Sequence, residues 1–257
     1  MNWADTWNMQ FNPQKCKVLH FGRNNPRYNY VMGGFAPVGE ILDAVTEEKD
    51  VGVVISDTLK PALQCARAAK RANAVLGQMK RAFTYRDKTT WVKLYKVYVR
   101  PHLEYCVQAW SPYLEKDREL LEAVQKRAVR MIKGLKGKTY EERLQECNLT
   151  SLTARRQRGD LLEVWKILNG KDDLDAKKMF RFAASGAVRD TRMTTNPLNL
   201  EHRKFRLDIR KHFFSVRTTK TWNALPDNVR QAPSLDVFKQ RYDLYVARCE
   251  QHLTYAE

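Results

Sequence analysis

The sequence contains no apolar run of about 18 residues, so no segment is long and greasy enough to read as a membrane-crossing helix. It has no CxxC pair. Its five cysteines, Cys16, Cys65, Cys106, Cys147 and Cys249, are odd in number and widely spaced, which excludes a zinc ribbon and a disulfide framework. No glycine-rich phosphate loop occurs, and no HExxH, GxSxG or kinase signature. Two His/Cys pairs have ligand-like spacing, Cys16 with His20 and Cys249 with His252. Two ligands fall short of the four that a structural metal site needs, so no metal site is expected. Acidic residues are in short supply too, at 29 Asp and Glu against 46 Lys and Arg.

That imbalance is the main positive feature. The net charge is +17 and the pI is near 9.7. Such an excess repels itself unless a polyanion neutralises it, and nucleic acid is the usual polyanion. Apolar residues make up 43% of the 257 residues, with 6 Trp, 11 Tyr and 10 Phe. That is enough to build a core, so global disorder is excluded.

Periodicity divides the chain. Residues 1–60 hold short apolar runs separated by turn residues. Strands are expected at 17–21 and at 28–32, with Asn24, Asn25 and Pro26 turning between them and Gly33-Gly34 after them. A third strand is expected over 50–55, running through Gly52. Together they read as a short β-meander. From Pro61 the period becomes helical. Ala62, Ala66, Ala69, Leu76, Met79 and Phe83 form one stripe. Residues 88–99 are apolar nearly all round and read as a fully buried helix, interrupted at Pro101. An amphipathic helix is expected over 116–133. A Thr139/Glu142 capping box starts another, ending near Glu146. A longer helix is expected over 152–169.

Residues 172–199 read as a loop with one helical turn near 177–182. At 203–211, Phe205, Leu207 and Ile209 alternate with Arg206, Asp208 and Arg210, which predicts a strand with one basic face. A helix ended by Pro226 and a last helix capped by Ser234 complete the chain. The fold class expected is mainly α: a β-meander at the N-terminus, then a helical bundle and a small α+β C-terminal subdomain. The division is 1–60, 61–171, a linker at 172–199, and 200–257.

Asp172-Asp173 is the one adjacent carboxylate pair. Paired Asp residues can hold metals for phosphoryl transfer, but only at a rigid turn beside another carboxylate. Here they follow a helix end in a polar stretch and read as a solvated loop. The basic residues fall into three clusters: Lys126, Arg127, Arg130, Lys133, Lys136 and Lys138; Arg155, Arg156 and Arg158; and Arg203, Lys204, Arg206, Arg210, Lys211 and Arg217. Lys126, Arg130 and Lys133 follow i, i+4, i+7 and are expected on one helix face. Phosphate contacts of this kind give affinity with little sequence readout.

Several stretches, in this order, resemble the C-terminal part of the polyprotein of jockey-like non-LTR (LINE-type) retrotransposons. They are residues 7–22 (WNMQFNPQKCKVLHFG), 49–53 (KDVGV), 99–110 (VRPHLEYCVQAW), 120–134 (LLEAVQKRAVRMIKG), 203–214 (RKFRLDIRKHFF) with 222–226 (WNALP), and 232–239 (APSLDVFK). The resemblance implies an RNA-directed DNA polymerase, a reverse transcriptase. By that likeness the first 60 residues are the last part of the palm. Lys49, Asp50, Val51, Gly52 and Val53 look like the primer grip. The helices after Pro61 look like the thumb, and the remainder resembles the C-terminal domain.

The aromatic-Ala-Asp-Asp motif that carries catalysis in that family does not occur in this sequence. The expectation is therefore a truncated, catalytically incomplete fragment. It would bind RNA, DNA or an RNA–DNA hybrid through Lys126, Arg127, Arg130, Lys133, Arg155, Arg156, Arg206 and Arg210. Mg is expected only in a full-length relative, and no cofactor here. The resemblance places such a protein inside the cell, in the nucleus or in a cytoplasmic ribonucleoprotein. A partner supplying the palm is an open alternative. So is a helical protein-interaction module, or a relic, with no nucleic-acid role.

Overall fold

The computed structural model describes residues 4, 6–9, 11–32, 39–183 and 198–254, with side chains described as far as Cys249. Helix accounts for 55% and strand for 9%, so the fold is mainly α, with small two-stranded sheets near the N-terminus.

The N-terminal strands do not form a meander. β1 (Lys17–Leu19) pairs in parallel with β4 (Asp43–Val45). β2 (Val31–Met32) pairs antiparallel with β3 (Glu40–Ile41). β5 (Glu47–Asp50) and β6 (Val53–Ser56) form an antiparallel hairpin. The expected strand at 28–32 therefore does not return along 17–21. Gly33 and Gly34 lie outside the described residues. Gly52 is not inside a strand either. It is the second residue of a tight turn, with φ +88°, after Val51 at φ +42°. Two successive positive φ values match the backbone twist that a two-residue hairpin needs.

Helix α1 (Ala62–Ala82) buries Gln64, Cys65, Ala68, Ala69, Ala72, Leu76 and Met79. The buried stripe is offset from the expected one at its start: Ala66 is exposed. Helix α2 (Lys88–Leu94) is capped by Asp87, whose carboxylate accepts from the Thr90 amide at 2.9 Å. It runs into a π-helical turn, Tyr95–Val99, and then α3 (Arg100–Glu104). Pro101 has no N–H and its ring crowds the carbonyl four residues back, so a widened turn just before it relieves the clash. This segment is not buried all round. Trp91, Val92, Tyr95 and Val99 are buried, whereas Val97 and Tyr98 are 63% and 56% exposed.

After α4 (Val107–Trp110) comes α5 (Glu115–Arg130), packed along α1. It ends at Arg130, short of Lys133. The capping box forms at the start of α6 (Tyr140–Glu146), where Thr139 and Glu142 cap each other's backbone. Helix α7 (Leu152–Leu168) is shared between two hydrophobic clusters. Its Leu152 belongs to the cluster built around Trp91, Leu103 and Leu121. From Leu161 onward it joins Trp222 and Phe238 in the second. Trp91, Trp165 and Trp222 are each about 1% exposed, and full burial of a large side chain contributes about 1.5–3 kcal/mol.

A short helix, α8 (Ala176–Met179), and an isolated bridge between Phe182 and Leu200 follow. The expected strand at 203–211 is absent. Its second half is helical, α9 (Asp208–Lys211). Alternation alone makes a strand only where a neighbouring strand supplies the ladder, and none lies beside it among the described residues. Instead the Arg203 and Arg210 guanidinium groups cover the Phe205 ring at 5.5 and 5.4 Å. Helices α10 (Phe214–Asn223), α11 (Asp227–Arg230) and α12 (Leu235–Thr254) close the second cluster. No described helix is long and apolar enough to cross a membrane.

Candidate nucleic-acid interface

Helix α5 sets the geometry of the first basic cluster. Leu121, Val124, Gln125, Ala128 and Val129 face inward, which leaves Lys126, Arg127 and Arg130 exposed. Lys126 Nζ stands 5.2 Å from the centre of the Tyr140 ring. Arg127 donates to Asn73 Oδ1 of α1 at 2.5 Å. Lys133 lies beyond the helix end, so the helical i+7 relation to Lys126 does not hold. A backbone bond from the Lys133 amide to the Arg86 carbonyl, 2.9 Å, positions it. Its ammonium then sits 4.9 Å from the Tyr85 ring. Among the described residues, Lys126, Arg127, Arg130 and Lys133 form no ion pair. Each cation–π contact at an exposed site contributes about 0.5–1 kcal/mol and leaves the charge outward.

The sequence reading missed part of this face. Asn73 brings α1 alongside, and Lys70 and Lys80, three residues before it and seven after it, occupy the same side of that helix. Both are exposed. Tyr85 and Arg86 then continue from the end of α1 towards Lys133, and Arg86 donates to the Lys80 carbonyl at 3.1 Å. The signal available in the sequence was the spacing of basic residues along 67–81, opposite the alanine stripe.

The second cluster does not form a basic surface. Arg155 binds both carboxylate oxygens of Glu104, with Nη2 at 3.0 Å. Arg158 binds both of Asp243, at 2.7 and 2.8 Å. Arg156 is only 5% exposed. Its guanidinium donates to Thr153 Oγ1 at 2.9 Å, and burial lowers its pKa. Arg155 and Arg158 hold α7 to its neighbours, whereas the Arg156 bond stays within α7.

The third cluster is divided. Arg206 is exposed. Arg210 is sandwiched between Phe205 at 5.4 Å and Phe213 at 5.0 Å, with its charge at the surface. Arg217 is internal. It binds both oxygens of Asp160, at 3.1 and 2.9 Å, and the Gln108 carbonyl at 3.1 Å.

Lys49, Asp50, Val51, Gly52 and Val53 make up the tip of the β5–β6 hairpin. Val51 is 81% exposed, while Val53 is buried. The tip rests on Tyr105, and a Cβ placed on Gly52 would sit 3.2 Å from the Tyr105 ring. Behind the hairpin is an apolar pocket of about 340 Å³, with Val53, Trp110, Ile209 and Phe213 in its walls. Asp172 lies 3.7 Å from Lys166, and Asp173 is exposed on the loop after α7. Among the described residues no group of three or more His, Cys, Asp and Glu side chains converges on a point where a metal could sit.

Comparison with known proteins returns no match: no family model fits the chain, and no curated protein and no solved structure is similar to it.

Proposed function

We propose that this chain is a reverse-transcriptase piece from a non-LTR retrotransposon, comprising the palm edge, thumb and C-terminal region. It binds template–primer nucleic acid and does not polymerise. The ordered likeness of residues 7–22, 49–53, 99–110, 120–134, 203–214 with 222–226, and 232–239 to that family supports the reading. The observation that carries the binding role is the face formed by Lys126, Arg127, Arg130 and Lys133. Its four cations are exposed and free of ion pairs among the described residues, and two of them are set over tyrosine rings. Cations held this way, with aromatic rings between them, suit a phosphate backbone contacted without base readout. Polymerisation in this class needs carboxylate-held metal ions, and the aromatic-Ala-Asp-Asp motif is missing from the sequence.

The test is titration of a labelled RNA–DNA primer–template duplex at low and physiological salt, alongside a nucleotide-incorporation assay. Sub-micromolar binding with a steep salt slope and no incorporation is the expected result. No binding even at low salt contradicts it.

One observation favours a second reading, a protein-interaction module with no nucleic-acid role. Trp7, Phe11, Tyr28, Tyr30, Val31 and Ile41 are all more than half exposed, and such a set invites a protein cover. A palm-bearing chain is one such cover and is compatible with the first reading. Binding insensitive to salt, to a protein and not to the duplex, would favour the second.

A further inference from the structure

Helix α1 carries five cations, Arg67, Lys70, Arg71, Lys80 and Arg81, and no carboxylate. Asn73 turns towards α5, where it meets Arg127. Arg71, two residues earlier, lies about 200° away round the helix. It stands beside His102 of α3, the helix packed against that flank of α1. Arg67 is one turn before Arg71 on the same flank. Both are exposed, and among the described residues neither forms an ion pair.

The neighbouring segment turns rings outward. Tyr98, Pro101, His102 and Tyr105 follow i, i+3, i+4, i+7 and share one side of the π-helical turn and α3. Tyr95, Val99 and Leu103 are buried on another side. Tyr98 and Tyr105 are each more than half exposed, and Tyr105 is held in place by its bond to the Val51 carbonyl. Burial, and then the Arg71 charge, hold His102 below its ordinary pKa, so at neutral pH it adds a flat ring and no charge. Residues 88–103 contain no carboxylate, and Glu104 is turned to Arg155 and Arg100. Asp50, next to Val51, closes the strip to anions at the hairpin end.

We propose that this strip, Tyr98 and Tyr105 flanked by Arg67 and Arg71, binds single-stranded nucleic acid. Unpaired bases stack on the tyrosine rings, and the guanidinium groups take the phosphates. A duplex keeps its base faces inside its own stack and gains nothing from exposed rings. An apolar protein surface would leave both arginines without a counter-charge. The strip is separate from the Lys126 face, on the other flank of α1, and does not depend on the duplex reading.

The test is titration of the full 257-residue chain with a fluorescein-labelled oligothymidylate of about 12 nucleotides, followed by anisotropy at low and physiological salt. The parent should bind. Tyr98→Ala should weaken binding about tenfold and leave duplex binding unchanged. Tyr105→Phe, which keeps the ring, should bind like the parent. Arg67→Gln/Arg71→Gln should lower the log–log salt slope by about 1.4, at about 0.7 for each phosphate of a single strand. That pair gives the readout should Tyr98→Ala fail to fold. The Lys126→Gln/Arg130→Gln/Lys133→Gln protein, weakened towards duplex, should still hold the oligonucleotide. No binding at low salt overturns the proposal, as does unchanged affinity in a folded Tyr98→Ala or an unchanged slope in the arginine pair. An equal loss in the Lys126 triple variant also overturns it, because the strand would then lie on that face. Self-association abolished by Tyr98→Ala, without oligonucleotide binding, would give the strip to a protein contact instead.

Discussion

The hydroxyl of Tyr105 donates a 3.0 Å hydrogen bond to the carbonyl oxygen of Val51, fastening the tip of the β5–β6 hairpin to the loop between α3 and α4. The residue fastened is an unusual one for its place. A β-branched side chain at φ +42° is strained, because Cβ crowds its own backbone. Asparagine is the residue that such a turn prefers. Val51→Asn is therefore expected to raise stability by about 1 kcal/mol, read from the midpoint of urea unfolding. Gly52→Ala should lower it, since φ +88° disfavours a side chain and Tyr105 leaves little room. Equal stability in the Val51→Asn protein would show that the strain is absent.

Arg217 and Asp160 join α10 to α7, and the Gln108 carbonyl extends the link to α4. Removing one partner leaves the other largely buried and unpaired. Arg217→Met should cost about 3 kcal/mol. The double variant Arg217→Met with Asp160→Asn should recover at least half of that loss, because no unpaired charge remains. A double-mutant cycle in thermal unfolding measures the coupling, and simple additivity would contradict it.

The pH dependence has two opposed parts. Backbone and side-chain hydrogen bonds from Thr139 hold Glu142 below its ordinary pKa of 4.5. Lys138 and Lys88 do the same for Glu146. A lowered folded pKa contributes stability above the unfolded value, and that stability is lost as pH falls through the folded one. Burial raises Asp160 above 3.8, with Arg217 opposing the rise. Its contribution is present below 3.8 and is lost as pH rises through its folded pKa. Acid titration of Glu142→Gln should show a shallower loss of stability below about pH 4.5 than the parent, and Asp160→Asn a steeper one. The reverse order would contradict the assignment.

Local signals were legible in the sequence where they depend on neighbouring residues. The Thr139/Glu142 box, the Ser234 cap and the amphipathic stripes of α5 and α7 all form. What the sequence concealed was pairing across distance. Arg155 and Arg158 look like a basic cluster until Glu104 and Asp243, 51 and 85 residues away, are placed beside them. The parallel pairing of β1 with β4 is of the same kind. At 203–211 the pattern suggested a strand, but no described strand offers it an edge, and Phe205 instead takes Arg203 and Arg210 against its ring. Lys70 and Lys80 were overlooked because they belong to the interface only through the Asn73–Arg127 contact.

Arg158 provides a control for the interface. Arg158→Gln removes the same charge as a substitution at Lys126, yet its partner is Asp243 and not solvent. It should lower the thermal midpoint while leaving the salt slope of nucleic-acid binding unchanged. A slope that falls in Arg158→Gln would mean that α7 also contacts phosphate.

The most direct test of the account is the salt slope of RNA–DNA duplex binding, measured for the parent and for Lys126→Gln/Arg130→Gln/Lys133→Gln. Each neutralised phosphate contributes about 0.9 to the log–log slope on B-form DNA, with a value of similar size for a hybrid. The account predicts a slope reduced by about two to three in the triple variant, with an unchanged thermal midpoint. An unchanged slope in a folded triple variant would contradict the assignment of this face to nucleic acid.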